Sequence, residues 1–272
     1  MLDTKVRSTH DIEQITDRPV IGTIALDPDV AKRPLVVHAE PRSPRAESYR
    51  ALRTNLRFMD LEHSKHSFVV TSSLPSEGKS TTAANIAIAL AEQGASVVLV
   101  DGDLRKPKVA ETMGIDGSVG LTDLLSGRAE AEEVMQRWGR GRLYVLPAGR
   151  VPPNPAELLG SHTMQRVHDE LLELHDYVII DAPPLMLVTD GAVLSELAHG
   201  TLLVVASGQT PRSAFRGAVA QLDGIGSSIA GIVVTKVPVK GPESYAYGAY
   251  GAYGAYYGNE DDLGNPVTQY RK

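Results

Sequence analysis

The stretch that most restricts what this chain can fold into runs from Phe68 to Leu90. The apolar run Phe68-Val69-Val70-Thr71 leads into Ser73-Leu74-Pro75-Ser76-Glu77-Gly78-Lys79-Ser80-Thr81, and Ala83-Ala84-Asn85-Ile86-Ala87-Ile88-Ala89-Leu90 follows as a strong helix former. Strand, short loop and helix in that order make a βα unit whose loop lies at the C-terminal end of a strand. Backbone N–H groups of such a loop converge on phosphate oxygens, and the following helix adds the positive end of its dipole. Gly78 lets the backbone approach closely, Lys79 is placed to reach the β- and γ-phosphates, and Ser80 offers an oxygen to Mg²⁺. Ser76, Glu77 and Thr81 complete the expected phosphate-binding stretch. The pattern departs from the usual one at Ser73, which stands in place of its first glycine, and at Ser76, where glycine is common.

The rest of the core repeats the same alternation. Apolar runs at Ser67 to Thr71, Ser96 to Val100, Leu143 to Leu146, Tyr177 to Ile180, Leu202 to Ala206 and Ile229 to Val234 are continuous rather than alternating, as strands covered on both faces should be. Helical periodicity falls near residues 79–93, 163–175, 188–197 and 211–224, with shorter pieces near 121–136. The expected fold is an α/β P-loop NTPase with a mostly parallel central sheet covered by helices on both faces. Val20 to Ile24 reads as a short edge strand, Pro44 to Glu62 as a polar helix, and residues 27–44 as irregular. With 272 residues and 42% hydrophobic content the chain can bury one substantial core. A net charge of −6 gives no global basic field, which argues against nucleic acid as a partner. The absence of cysteine excludes disulfides and thiolate chemistry. No apolar run approaches the roughly 18 to 20 residues of a membrane helix, so the chain itself is expected to be soluble.

Two further strands end in carboxylates. Val97-Val98-Leu99-Val100 delivers Asp101-Gly102-Asp103-Leu104-Arg105, and Val178-Ile179-Ile180 delivers Asp181 ahead of Pro183-Pro184. Ligands in doubly wound sheets bind at the C-terminal strand ends, so Asp101, Asp103 and Asp181 are expected to face Lys79 and Ser80. Arg105 is either a phosphate contact or a structural ion-pair partner.

These motifs resemble those of the bacterial tyrosine kinases of capsule and exopolysaccharide synthesis. The Lys79 loop is similar to that family's Walker A, Leu99-Val100-Asp101-Gly102-Asp103-Leu104-Arg105 to its Asp-x-Asp-x-Arg motif, and Ile179-Ile180-Asp181-Ala182-Pro183-Pro184 to its Walker B. The resemblance extends from about Pro19 to the C-terminal tail. It implies ATP and Mg²⁺ as cofactors, with Lys79 on the phosphates, Ser80, Asp103 and Asp181 around the metal, and Asp101 taking the proton of the incoming tyrosine. Full ionisation of a tyrosine at pH 7 costs roughly 4 kcal/mol, which makes a positioned carboxylate useful. Thr235 occupies the place where relatives have an asparagine near the base. Glu47, Arg50 and Arg53 match the family's Glu-x-x-Arg-x-x-Arg assembly motif, implying a cyclic homo-oligomer.

The same resemblance gives purpose to the C-terminus. Tyr245 and Tyr247 precede three Gly-Ala-Tyr triplets, Tyr250, Tyr253 and Tyr256, and then Tyr257. A Gly-rich stretch of this kind is expected to be disordered. From Val234 to Tyr257 is 23 residues, a flexible reach of roughly 26 Å, enough to present these six tyrosines as phosphoacceptors to a neighbouring subunit. The implied organisation is a juxtamembrane-like segment (1–43), a kinase domain (44–237) and a tail (238–272). Implied partners are a membrane activator segment, fused upstream or on a separate chain, and a tyrosine phosphatase, placing the chain at the cytoplasmic face of the bacterial inner membrane. The competing reading is a partition or septum-positioning ATPase switch, whose P-loop carries an additional lysine near its start where this chain has Ser73 and Leu74. His162 and His168 have no metal-ligand spacing and are expected at the surface. Pro152-Pro153-Asn154-Pro155 is expected to start a helix, and Trp138 to pack.

Overall fold

The computed structural model describes residues 4–59 and 65–239. The tyrosine cluster lies outside the described residues. Strands are β1 (Val20–Ala25), β2 (His66–Ser72), β3 (Val97–Asp101), β4 (Gln136–Trp138), β5 (Leu143–Leu146), β6 (Tyr177–Asp181), β7 (Gly200–Ala206) and β8 (Ile229–Val237). Helices are α1 (Thr9–Glu13), α2 (Val36–Ala39), α3 (Pro44–Met59), α4 (Lys79–Glu92), α5 (Val109–Met113), α6 (Leu121–Leu125), α7 (Ala131–Val134), α8 (Pro155–Leu159), α9 (His162–Leu174), α10 (Asp190–Leu197) and α11 (Arg212–Gly224). The strands form one sheet in the order β1-β8-β7-β2-β6-β3-β5-β4. All neighbours pair in parallel except β4 and β5.

Each central strand sends alternate side chains to opposite faces, so its continuous apolar run is needed on both. Phe68, Val70, Leu99 and Ile179 pack beneath α2 to α5, whereas Val69, Val98, Val178 and Ile180 pack beneath α6, α8, α9 and α10. A third apolar cluster joins β7 and β8 to α11 and to Val6 and Ile12 of the N-terminal segment. Residues 4–43 therefore belong to the same body: β1 is an edge strand on β8, and Val6 is fully buried.

The structure differs locally from the sequence-based expectation. The periodic stretch near 121–136 is divided, because α6 ends at Leu125, Ser126 is its C-cap and Gly127 takes a positive φ of 65°. β4 exists only through its antiparallel pairing with β5, where the Trp138 indole N–H donates to the Met113 carbonyl at 2.9 Å. Residues 27–44 contain α2, which is pinned by Asn85. The Asn85 carboxamide accepts from the Val37 N–H at 3.0 Å and donates to the Pro34 and Thr81 carbonyls at 2.7 and 2.8 Å. His168 is not on the surface: α9 turns it inward, and burial lowers its pKa. Pro155 does begin α8.

Candidate active site

Sheet order places the key strand ends side by side. β2 lies next to β6, β6 lies next to β3, and Asp101 and Asp181 are register partners at the ends of the last two. Between β3 and the Asp103 loop, Gly102 is required for a close approach. A Cβ there would lie 2.7 Å from the Leu194 side chain and 3.1 Å from the Asp181 carbonyl.

Gly78 leads from the loop into α4 with φ 98°, and no side chain caps the first turn of that helix. The amides of that turn are thus left to an anion. The Lys79 ammonium lies 3.1 Å from Asp103 Oδ2, 3.4 Å from Asp181 Oδ1 and 3.3 Å from Ser80 Oγ. Burial pulls the pKa of Lys79 down, but the charges of Asp181, Asp103 and Asp101 outweigh it and the net shift is upward. Desolvation raises Asp181 despite Lys79 and Ser80. Asp101 is pushed up to about 7 by burial and then by the charge of Asp181, with backbone N–H groups opposing. Its Oδ1 accepts from the Asp103 N–H, and its Oδ2 from those of Lys108 and Val109. Asp101 is fully buried, whereas Asp103 lines the cavity.

That cavity has a volume of about 630 Å³ and is bordered on one side by Lys79, Ser80 and Asp103. On the other side it extends to Leu26, Asp27 and Val30 beyond β1 and to Arg45 and Tyr49 of α3, a wall with no signature in the sequence. Arg45 pairs with Asp27 at 2.6 Å, which joins α3 to that wall. The donor set fits a hard cation: Ser80 hydroxyl and the Asp103 and Asp181 carboxylates are all oxygen donors, and Asp181 Oδ2 is buried without a hydrogen-bond partner. Among the described residues no group of three or more His, Cys, Asp or Glu side chains forms a metal cage. Mg²⁺ commonly binds through one or two carboxylates, water and substrate phosphates instead.

Other expected site residues take different positions. Glu77 is buried and its carboxylate turns away from the cavity, toward Leu74 and Thr210. Ser76, Gly78 and Thr81 line the cavity, and Ser76 adopts φ 64°. Thr235 also lines it, but its hydroxyl donates to the Glu77 carbonyl at 2.6 Å. Arg105 forms a two-pronged pair with buried Asp190 at 2.8 and 3.0 Å and also lines the cavity. The residues expected to mediate assembly are divided between environments. Arg50 pairs with Glu47 at 3.4 Å and Glu92 at 3.5 Å, whereas Arg53 is buried with its guanidinium on the Ala89 carbonyl. Among the described residues, no helix is long and apolar enough to cross a membrane.

A family model for ParA, described as a NUBPL iron-transfer P-loop NTPase, matches residues 63–139. The chain is 37% identical to tyrosine-protein kinase YwqD of Bacillus subtilis over 85% of this chain and 94% of that protein. It is 30% identical to tyrosine-protein kinase etk of Escherichia coli over 79% of this chain but 30% of that longer protein. The solved kinase domain of that E. coli protein superposes with a TM-score of 0.80 at 28% identity, covering 88% of this chain and 97% of the domain. A cell-division ATPase, MinD of Pyrococcus furiosus, gives a TM-score of 0.54 at 27% identity over 63% of this chain and 72% of that one.

Proposed function

The chain belongs to the bacterial tyrosine-protein kinases, and from that premise we propose that it transfers the γ-phosphoryl group of ATP to its own C-terminal cluster, Tyr245, Tyr247, Tyr250, Tyr253, Tyr256 and Tyr257. The observation that carries this reading is a cavity large enough for a nucleotide, lined on one side by Lys79, Ser80 and Asp103, with buried Asp181 against Lys79 behind them. The phenolic oxygen of the acceptor bonds to the γ-phosphorus as the bond to the β-phosphate bridge oxygen breaks. ADP leaves, and the phenolic proton passes to Asp101. Lys79 neutralises charge on the phosphates. Bound Mg²⁺, held by Ser80, Asp103 and Asp181 directly or through water, would supply the remaining charge neutralisation.

The raised pKa of Asp101 suits a proton acceptor working near neutral pH. Its three backbone N–H donors leave one of the four lone-pair positions of a carboxylate for the incoming hydroxyl. Asp101→Asn should therefore lower kcat at least 10²-fold with little change in nucleotide affinity, which single-turnover assays and calorimetry would check.

We further read the chain as part of a ring in which the tail of one subunit serves the next, with Glu47 and Arg50 at the contact. Phosphate on the tail adds about 1.5 to 2 negative charges per tyrosine and should weaken the ring by repulsion. By the same family logic, a membrane activator, a tyrosine phosphatase and a role in capsular or exopolysaccharide assembly at the membrane follow.

The fold likeness to MinD supports a second reading, a nucleotide switch without phosphotransfer to protein. Purified protein with ATP and Mg²⁺ should accumulate tail phosphotyrosine, mapped by mass spectrometry, and Lys79→Met should not. Release of free phosphate with unmodified tyrosines would replace the kinase reading with the switch.

A further inference from the structure

Glu77 is a buried acid that the chemistry above does not use. It accepts the Leu74 N–H on one oxygen at 3.0 Å and the Thr210 hydroxyl on the other at 2.5 Å. Thr210 Oγ1 is itself fixed, because it accepts the Ala206 N–H at 2.9 Å and so turns its proton to Glu77. The loop backbone is tied to the same end of the sheet. Thr235 Oγ1 donates to the Glu77 carbonyl at 2.6 Å, and Lys236 Nζ to the Ser76 carbonyl at 2.7 Å. Between these ties Ser76 and Gly78 both hold positive φ angles, 64° and 98°. A backbone with a non-glycine residue in that region persists where its surroundings over-determine it.

The turn that carries Thr210 is braced in its own right. The Val6 N–H donates to the Thr210 carbonyl at 2.9 Å, the Gly208 N–H to the Val6 carbonyl at 2.8 Å, and the Arg212 N–H to the Thr4 carbonyl at 2.7 Å. Lys5 and Pro211 form an antiparallel bridge between these contacts. Val6 is fully buried, and Asp11 collects the Arg7 and Ser8 N–H groups and the Arg212 guanidinium. An unbroken run of hydrogen bonds thus leads from residues 4–6, through Thr210, to the carboxylate of the phosphate loop.

We propose that Glu77 and Thr210 are a positioning pair that holds the phosphate loop in its nucleotide-receiving shape, and that residues 4–6 brace the loop through Thr210. The proposal rests on the reading of this loop as the nucleotide site. Chemistry explains why the pair needs an acid. Two donors, an N–H and an O–H, converge on Glu77, and a carboxylate meets both with acceptor oxygens, whereas a carboxamide offers one oxygen and a competing donor. The pair does not touch the reacting atoms, so its loss should appear in nucleotide affinity rather than in the rate at saturation.

The test uses the whole chain: ATP Kd by calorimetry, ATP KM and kcat for tail phosphorylation, and thermal unfolding. Glu77→Gln and Thr210→Val should each raise Kd and KM about tenfold while kcat at saturating ATP stays within about twofold. The double variant should bind no worse than the weaker single, since both remove one interaction. Thr210→Ser, which keeps the hydroxyl, should restore binding. Val6→Pro, which deletes the N–H given to Thr210, should raise Kd about threefold and add nothing to Thr210→Val. Unchanged Kd in Glu77→Gln while Lys79→Met abolishes binding would overturn the inference and leave the nucleotide site standing. Additive losses, or a lowered melting temperature with normal Kd, would also overturn it. Normal nucleotide binding by Lys79→Met would remove the underlying reading as well.

Discussion

Ser76 is a serine in a backbone conformation that suits glycine, and it borders the cavity. Left-handed backbone costs an L-residue roughly 1 to 2 kcal/mol, while glycine carries an unfolded-state entropy cost of about 0.5 to 1 kcal/mol. Ser76→Gly should therefore lie within about 1 kcal/mol of the native protein in urea unfolding, and Ser76→Val, β-branched, should lose about 2 kcal/mol. Glu77 gives a second measurable consequence. Burial pushes its carboxyl up to about 6 from an ordinary 4.5. An acid raised on folding binds more protons in the native state between those values, so its contribution to stability falls as pH rises from about 4.5 to about 6. Compared with Glu77→Gln, the native protein should lose about 1 kcal/mol of additional stability between pH 5 and pH 7.5, read from urea midpoints at those two values. The convergence of Lys79, Ser80, Asp103 and Asp181 was legible in the sequence because each lies at or shortly after the end of a strand. The direction of the Glu77 side chain was not, because its partner Thr210 is 133 residues away. Arg53 was unreadable for the same reason: α4, not its own helix, decides that it is buried.

At the scale of elements, the six central strands could be read from their apolar runs, because a strand covered on both faces has nowhere to place a polar residue. β4 could not, since Gln136–Trp138 carries no such run and takes its conformation from β5. α2 is a similar case, fixed from outside by Asn85. Asn85→Ala removes three hydrogen bonds and leaves the Val37 N–H buried without its acceptor. It should cost about 2 to 3 kcal/mol and speed hydrogen exchange at Val37 well before that of β2. Arg105 and Asp190 join the Asp103 loop to the start of α10. Arg105→Ala should destabilise by about 2 kcal/mol, below the usual figure for fully buried pairs because the arginine is 41% exposed, and Arg105→Lys should recover only part of the loss because the fork is gone.

For the whole molecule, the two arginines of the proposed assembly motif make opposite predictions. Arg53→Ala should lower the melting temperature of a single chain, whereas Arg50→Ala should leave it nearly unchanged and lower the mass seen by light scattering. The order of strands has a consequence for how nucleotide enters and leaves. Phosphate chemistry is anchored to β2, β6 and β3 in the middle of the sheet, while the far wall of the cavity hangs from β1, whose only sheet neighbour among the described strands is β8. An edge strand opens by local fluctuations that the interior of a sheet does not share. The pocket should therefore work like a vice with one fixed jaw and one compliant jaw, so that a nucleotide exchanges by loosening of the β1 side while the carboxylates stay aligned.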